Sequence, residues 1–580
     1  MTPGLAGFIA TGDDARAQDE VVAGVLEALG TAFGVIPDRA GKPAAYRRTW
    51  LDTFDWRLHR AGLTLEHVGR PRGGELLLSG DTAGPARTAN AAGPAGPLAG
   101  SASAAAAPAN SARAASVTTQ PVIGWQAARP HLMCELPDGP VSSRIGDLVV
   151  PRALLPVVTV TSTTTTHRLL NEDGKTVARL LIERSSIPGP HPAALAPRLA
   201  ITEVRGYPGD ARTAARLIGG APGIEPATAP TQTEALRAVG RSPGDYSNKV
   251  DAVISANRPA SQSAATILLR LLDTIEANIG GVLADTDTEF LHDLRVSVRR
   301  TRSALKLFGD ALTGRGGLTE GEAAFFAAEF KWVGDLTTPT RDLDVHLLDF
   351  DDTAHSLSAA KPDDLEPFRA YLEQRRRREF RLLTRGLKSA RFVTLTRDWR
   401  DRLTAIKDGH PGTRAARDRS GKDRGAAGET TGALAMERTR AAFAKTVRRG
   451  AAITLESPPE SLHDLRKRAK ELRYALEFFA PLHDRADQVK VVGELKRLQD
   501  CLGEFQDTEV QVGEIRALAT AMLAAGEAPA VTLLAMGEVT AGLALRQRAA
   551  REDFGRRFAA FAGIDGQRRI SALLRGKLGR

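Results

Sequence analysis

The chain has 580 residues, more than one hydrophobic core can organise, so two or more domains are expected. Lys and Arg number 79 against 69 Asp and Glu, a formal net charge of +10. That excess favours anionic partners without choosing between nucleic acid, a membrane surface and polyphosphate. Two cysteines, Cys134 and Cys501, exclude a disulfide framework and a four-ligand zinc site. No apolar run reaches the roughly 18 residues of a membrane span, and no basic segment followed by an apolar core opens the sequence. A cytoplasmic protein without membrane association is expected.

Ala17–Phe33 carries apolar residues at helical spacing. Beyond it the period is mostly two. Leu63–Val68 and Glu75–Ser79 flank a Gly-Arg-Pro-Arg-Gly-Gly turn and predict a hairpin. Val157–Leu170 and Thr176–Ser186 flank Asn171-Glu172-Asp173-Gly174 and predict a second. Arg198–Tyr207 predicts a further strand, followed by a short helix to Ile218. Residues 1–218 therefore read as an α+β domain with an antiparallel sheet and a disordered insertion near 81–120. The Ala, Gly, Pro and Ser of that insertion cannot bury enough apolar surface to offset ordering entropy. Residues 219–249, rich in Pro, Ala and Gly, read as a linker. From Val250 onward the period is 3.6 almost throughout, which predicts an all-α domain over 250–580 with a second insertion near 408–432.

The helical part contains a repeat. Phe290–Phe308 reads FLHDLRVSVRRTRSALKLF and Ser461–Phe479 reads SLHDLRKRAKELRYALEFF; offset by 171 positions, nine of nineteen residues coincide. Thr286 with Glu289, and Ser457 with Glu460, predict a capping box at each helix start. Two copies of one supersecondary unit follow. On a wheel of 100° per residue, His292, Arg295, Arg299, Arg302 and Lys306 fall within an arc of about 80°. Leu291, Leu294, Val298, Leu305 and Phe308 fill the adjoining arc. In the second copy His463, Arg466, Lys470 and Arg473 take the same place beside Leu462, Leu465, Ala469, Leu472, Leu476 and Phe479. The first stripe runs roughly 21 Å at 1.5 Å per residue and contains no acid. Like charges at i, i+3 and i+4 repel. A solvated face is one reading of a single such helix; the same stripe at the same wheel position in two copies points to a polyanion that neutralises both. A second repeated element follows each helix: FKWVGDLTTPTRDLDV (Phe330–Val345) and LKRLQDCLGEFQDTEV (Leu495–Val510) match Lys331 with Lys496, Asp335 with Asp500, and Asp342 with Asp507. The aspartates read as helix caps or arginine partners, the lysines as extensions of the basic surface.

The motifs LHDLRVSVRRTRSALKLF, TRDLDV, LHDLRKRAKELRYALEFF and LKRLQDCLGEFQD are similar to the CHAD family, over about Val250 to the C-terminus. The resemblance implies two pseudo-symmetric helical bundles whose basic residues line a shared groove for inorganic polyphosphate. From one half these are His292, Arg295, Arg299, Arg302, Lys306, Lys331 and Arg341; from the other, His463, Arg466, Lys470, Arg473 and Lys496. Gln506 stands where the first half has Arg341, so the second half is expected to hold phosphate less strongly. Association with polyphosphate granules follows from the same resemblance.

The segment YRRTWLDTFDWRLHRAGLTLEHV, with Trp50-Leu51-Asp52-Thr53 at its core, resembles a strand–turn of the CYTH family of triphosphate-tunnel proteins, and RLLIERSS and RLAITEVRGYPGD resemble its later strands. Glu183 and Glu203 are the candidate acids. The family's Glu-x-Glu-x-Lys is absent near the start, Leu65-Glu66-His67-Val68 replaces Leu-Arg-x-Arg, and the last strand reads Glu203-Val204-Arg205. Triphosphate hydrolysis needs clustered carboxylates for Mg²⁺ or Mn²⁺. The N-terminal domain therefore reads as a degenerate, antiparallel β tunnel-like domain without catalytic or metal-binding residues. His59, His67 and His131 read as surface or turn histidines.

Non-enzymatic, cofactor-free binding of inorganic polyphosphate is the function expected. Two alternatives stay open. One is a metal-dependent triphosphatase or polyphosphatase in the N-terminal domain. The other is non-specific nucleic-acid binding through the groove, for which aromatic stacking platforms are scarce: Tyr474 alone interleaves with the stripes.

Overall fold

Alternating apolar and polar residues in the first part of the chain assemble into a single sheet. The computed structural model describes residues 7–38, 44–70, 73–80, 116–189, 192–313, 317–409 and 429–575. It divides into two units, Met1–Ser247 and Asn248–Arg580. The first contains β1 (Phe8–Ala10), α1 (Ala15–Gly30), β2 (Gly34–Pro37), β3 (Ala44–Asp52), α2 (Arg57–Arg60), β4 (Leu63–Arg70), β5 (Gly73–Gly80), β6 (Ser116–Val122), α3 (Pro140–Val149), β7 (Leu155–Leu170), β8 (Thr176–Ile187), β9 (Ala193–Ala194), β10 (Arg198–Glu203), α4 (Pro208–Gly219), β11 (Ile224–Pro226) and α5 (Thr231–Ala238). The strand order is β11-β1-β10-β8-β7-β3-β4-β5-β6, with β2 on β7 and β9 on β8. Both expected hairpins form, with Leu65 opposite Leu78 and Thr164 opposite Glu183. Because side chains alternate, one face collects Leu65, Leu76, Leu78, Leu169, Leu180, Ile182 and Leu199, and α1, α3 and α4 pack there. The antiparallel sheet is consistent with a tunnel-like fold.

Two expectations for this unit change. Of the insertion near 81–120, residues 81–115 lie outside the described residues, while Ser116–Gln120 belong to β6 and pair with β5. The 219–249 linker is not a linker: β11 pairs with β1, and Ala235 and Leu236 of α5 are fully buried beside Trp50, Trp56, Val158 and Val160. Elements of three and eight residues are too short to show a period in sequence, and Gly223, at φ +75°, supplies the left-handed turn into β11.

The second unit is helical: α6 (Ala260–Leu283), α7 (Thr288–Leu312), α8 (Glu320–Leu348), α9 (Phe350–His355), α10 (Glu366–Leu387), α11 (Ala390–Lys407), α12 (Thr431–Ala451), α13 (Pro459–Phe478), α14 (Arg485–Ala524), α15 (Ala530–Ala562) and α16 (Ile564–Arg575). The expected insertion near 408–432 overlaps ordered structure: Thr430 bridges Pro259 and α12 starts at Thr431, while residues 410–428 lie outside the described ones. The repeat occupies α7 and α13. Its apolar arcs are the core: Leu291, Leu294, Val298 and Phe308 are buried in one copy, and Leu462, Leu465, Ala469, Leu472, Leu476 and Phe479 in the other. Phe308 meets Phe479 edge-on at 5.6 Å and so joins the copies. Gly281 of α6 permits close approach to α7, since a Cβ there would lie 2.3 Å from the Phe290 ring. No helix among the described residues is long and apolar enough to cross a membrane.

Neither expected capping box forms. Asp287 caps α7, accepting from the amides of Glu289 (2.9 Å) and Phe290 (3.2 Å). The α13 cap is Pro458 with Pro459 next, where the missing N–H removes one donor that would need a partner; Ser457 instead accepts from the Thr454 amide.

Candidate polyanion-binding groove

α7 and α13 meet in antiparallel register. Arg300 reaches Glu477 at 3.1 Å and Lys306 reaches Glu471 at 2.5 Å. These two pairs are equivalent under the 171-residue offset, with the charges exchanged between copies. A pseudo-two-fold axis therefore passes between the helices and brings the two basic stripes to one place. Arg300 was missed by the stripe reading, although its alignment with Glu471, an opposite charge, signals a contact between copies. Lys306, read as a ligand, forms the matching clasp; it is largely exposed, and such pairs contribute at most about 1 kcal/mol.

The acids that the stripes lack arrive from α8 and α14. Arg295 approaches Asp342 at 3.5 Å and donates to the Thr338 carbonyl at 3.0 Å. Arg466, its equivalent, holds Asp507 through both terminal nitrogens, at 2.9 and 3.2 Å. Both aspartates are thus arginine partners, one of the two roles read for them. Arg341 donates to the Thr288 carbonyl at 3.1 Å and lies 3.6 Å from Glu289, tying α8 to the start of α7. Arg473 binds Glu477 and Gln499 (2.7 and 3.2 Å), and Lys331 pairs with Asp335 at 2.6 Å. His463 lies 2.8 Å from Glu509; His292 is half-buried near the start of α7, and Lys496 is exposed.

Arg299, Arg302 and Lys470 make no hydrogen bond or ion pair with the described residues. Gly334 of α8 leaves room under Arg302, since a Cβ there would come within 3.3 Å of its Nη1. Burial, Arg466 of its own helix and Arg299 of the other copy together lower the Lys470 ammonium to about 8. Burial, Arg299 and Arg341 likewise lower Arg295 against the pull of Asp342. Arg295, Arg299, Arg341, Arg466, Lys470 and Arg473 therefore act on one another as a single cationic cluster drawn from both copies.

The first unit presents a different arrangement. On the sheet face opposite the helices α1, α3 and α4, Arg48 of β3 donates to Glu66 at 2.5 Å and to Glu183 at 2.9 Å. Tyr46 donates to the same Glu183 oxygen at 2.9 Å, and burial and Glu183 raise its hydroxyl to about 12. Glu203 does not join Glu183. The register sets Glu183 against Arg198 and Glu203 against Ala178, an odd separation along β10 that sends Glu203 to the other face, where it is exposed. Asp52 is a helix cap, accepting from the amides of Thr53, Leu58 and His59. Two histidines read as surface residues are buried: His67 and His131 flank Trp125 at centroid distances of 5.4 and 4.3 Å, while His59 is exposed. Among the described residues no group of three or more His, Cys, Asp or Glu is placed to hold a metal ion.

The CHAD domain family model matches residues 266–516. Two solved structures are similar: the CHAD domain from the plant Ricinus communis (25% identity, 54% of this chain and 96% of that one, TM-score 0.43), and PptA from Streptomyces chartreusis (17% identity, 52% and 99%, TM-score 0.38). No curated protein matches significantly.

Proposed function

From the premise that residues 266–516 of this chain are a CHAD domain, a family associated with polyphosphate binding, we propose that its α7–α13 groove binds inorganic polyphosphate without chemistry. The observation that carries the reading is the convergence, across the pseudo-two-fold axis, of cations that no acid among the described residues pairs with: Arg299 and Arg302 from one copy and Lys470 from the other. A linear polyanion with about one charge per unit supplies the missing counter-charge. Arg295, Arg466 and Arg473, already held by acids, frame the path. Lys306 and Arg341 serve mainly to join elements, Lys331 pairs with Asp335 within α8, and His292, His463 and Lys496 lie at its margins. On this reading the protein sits at polyphosphate granules, and the first unit is a CYTH-like tunnel that has lost its metal site. Arg48 occupies the space between Glu66 and Glu183, so the carboxylates neutralise a guanidinium instead of coordinating a metal.

The test is titration of the full-length protein with polyphosphate and with ATP at equal phosphate concentration. Long polyphosphate should bind more tightly, and Arg299→Ala with Arg302→Ala should weaken it by more than about tenfold. That double change should also lower the slope of log affinity against log salt by about two, one for each cation removed, as for other linear polyanions. Wild-type affinity and slope in the double variant would make the groove a solvated face.

A further inference from the structure

A second face with unrelieved positive charge lies outside the groove. α10 reads EPFRAYLEQRRRREFRLLTRGL and buries Phe368, Leu372, Leu383 and Leu387 along one side. On the opposite side Arg375, Arg377, Arg378, Arg381, Arg385 and the adjoining Lys388 span an arc of about 160°, and all six are exposed. Arg377 alone has an acidic partner, Glu373 at 3.6 Å; the other five make no ion pair with the described residues. Arg376, the remaining arginine of the run, is turned inward and held by Asp285 and Asp344. The repulsion is regular: 375 with 378, 377 with 381, 378 with 381, 381 with 385, and 385 with 388 are like-charged at i+3 or i+4.

The fold does not require this charge. α15 packs on α14 as α10 packs on α8, and QRAARE of α15 aligns with QRRRRE of α10. Ala549 and Ala550 stand where α10 has Arg376 and Arg377. Most arginines of α15 are bound: Arg546 pairs with Glu504 at 2.7 Å, Arg551 donates to the Leu455 carbonyl at 2.8 Å, and Arg556 and Arg557 share Asp553, while Arg548, aligned with Arg375, is exposed and makes no ion pair with the described residues. Nor is the α10 face part of the groove. α8 turns Gly334 and Arg341 toward α7, and Leu336 and Leu343, on the opposite side of its wheel, toward α10.

Guanidinium forks match phosphate oxygens bidentately. Between Arg375 and Lys388 the arc carries no aromatic ring, and Tyr371, one turn earlier, is half-buried against the cluster around Leu372, so the face offers little on which unpaired bases stack. Leu382 is its only exposed large hydrophobic side chain, too little to enter a bilayer. The face is convex and about 20 Å long, so a single flexible polyphosphate strand would meet only part of its width. A duplex presents phosphates on both margins of a groove about 12 Å across, which accepts a helix with cations on both flanks. We propose that the outer face of α10 binds the phosphate backbone of double-stranded nucleic acid, without reading sequence, at a site separate from the α7–α13 groove.

The test uses the full-length protein and a labelled 25-base-pair DNA duplex, read by fluorescence anisotropy across a salt series. Arg375→Gln with Arg378→Gln and Arg385→Gln should weaken duplex binding by more than about tenfold and lower the salt slope by about 2.7, three phosphates at 0.9 each. Polyphosphate affinity should be unchanged in that variant, and duplex affinity unchanged in the Arg299→Ala, Arg302→Ala variant. Should the triple variant melt early, Arg378→Gln alone should lower the slope by about 0.9. Unchanged duplex binding in the α10 variants overturns the proposal. So does loss of duplex binding in the groove variant, which would make the groove the shared site. Capture of anionic phosphatidylserine vesicles through α10, with no duplex binding, would replace nucleic acid by a membrane surface and overturn it as well.

Discussion

Replacing Lys470 by methionine separates binding from stability, because the two depend on its charge with opposite sign. The ammonium is pushed from 10.5 to about 8 by burial, by Arg466 and by Arg299, with only Asp507 opposing. Taken at full strength that displacement is about 3 kcal/mol, but Lys470 is only half-buried, so solvent screening reduces the cost of its charge to about 1–2 kcal/mol. Methionine keeps the apolar stem and removes the charge. Lys470→Met should therefore raise the melting temperature of the helical unit by about 1–3 °C at pH 7 while weakening polyphosphate binding. The pH dependence has a definite sign. The unfolded chain binds more protons than the folded one between pH 8 and 10.5, so this residue's penalty is complete below pH 8 and relieved as pH rises through that window. A polyanion favours the charged form, so binding at pH 8 should take up about half a proton. Calorimetric titration in two buffers of different ionisation enthalpy, with differential scanning calorimetry of both proteins, reads all three quantities. A lower melting temperature with unchanged affinity would refute the convergence of the two stripes at Lys470.

Two further perturbations test the frame. Arg48→Met leaves Glu66 and Glu183 without their cation in a largely buried site, and the thermal transition of the first unit should lose about 3–5 kcal/mol; a change below 1 kcal/mol would show that the triad is solvated. Asp287→Ala removes the α7 cap and should cost about 1 kcal/mol by denaturant titration, whereas Thr286→Ala should be near neutral; the reverse order would restore the capping box read from sequence.

What the amino-acid order determined is what local geometry controls. A 3.6-residue period fixes which side chains share a helix face, so the basic and apolar stripes of Phe290–Phe308 and Ser461–Phe479, and their repetition, were legible before any packing was known. Alternation with Gly-containing turns located both hairpins in the same way. Packing decided the rest, because charge balance and burial depend on which elements meet. Arg295 and Arg466 acquire acids from α8 and α14, and Lys306 acquires Glu471 from the other copy. The stripe that looked uniformly uncompensated is compensated at those positions and open at Arg299, Arg302 and Lys470. Register, a relation between strands, divided Glu183 from Glu203 and set Arg48 between Glu66 and Glu183. Burial of His67 and His131 against Trp125, and the docking of residues 224–238, rest on contacts across the fold that no local period records.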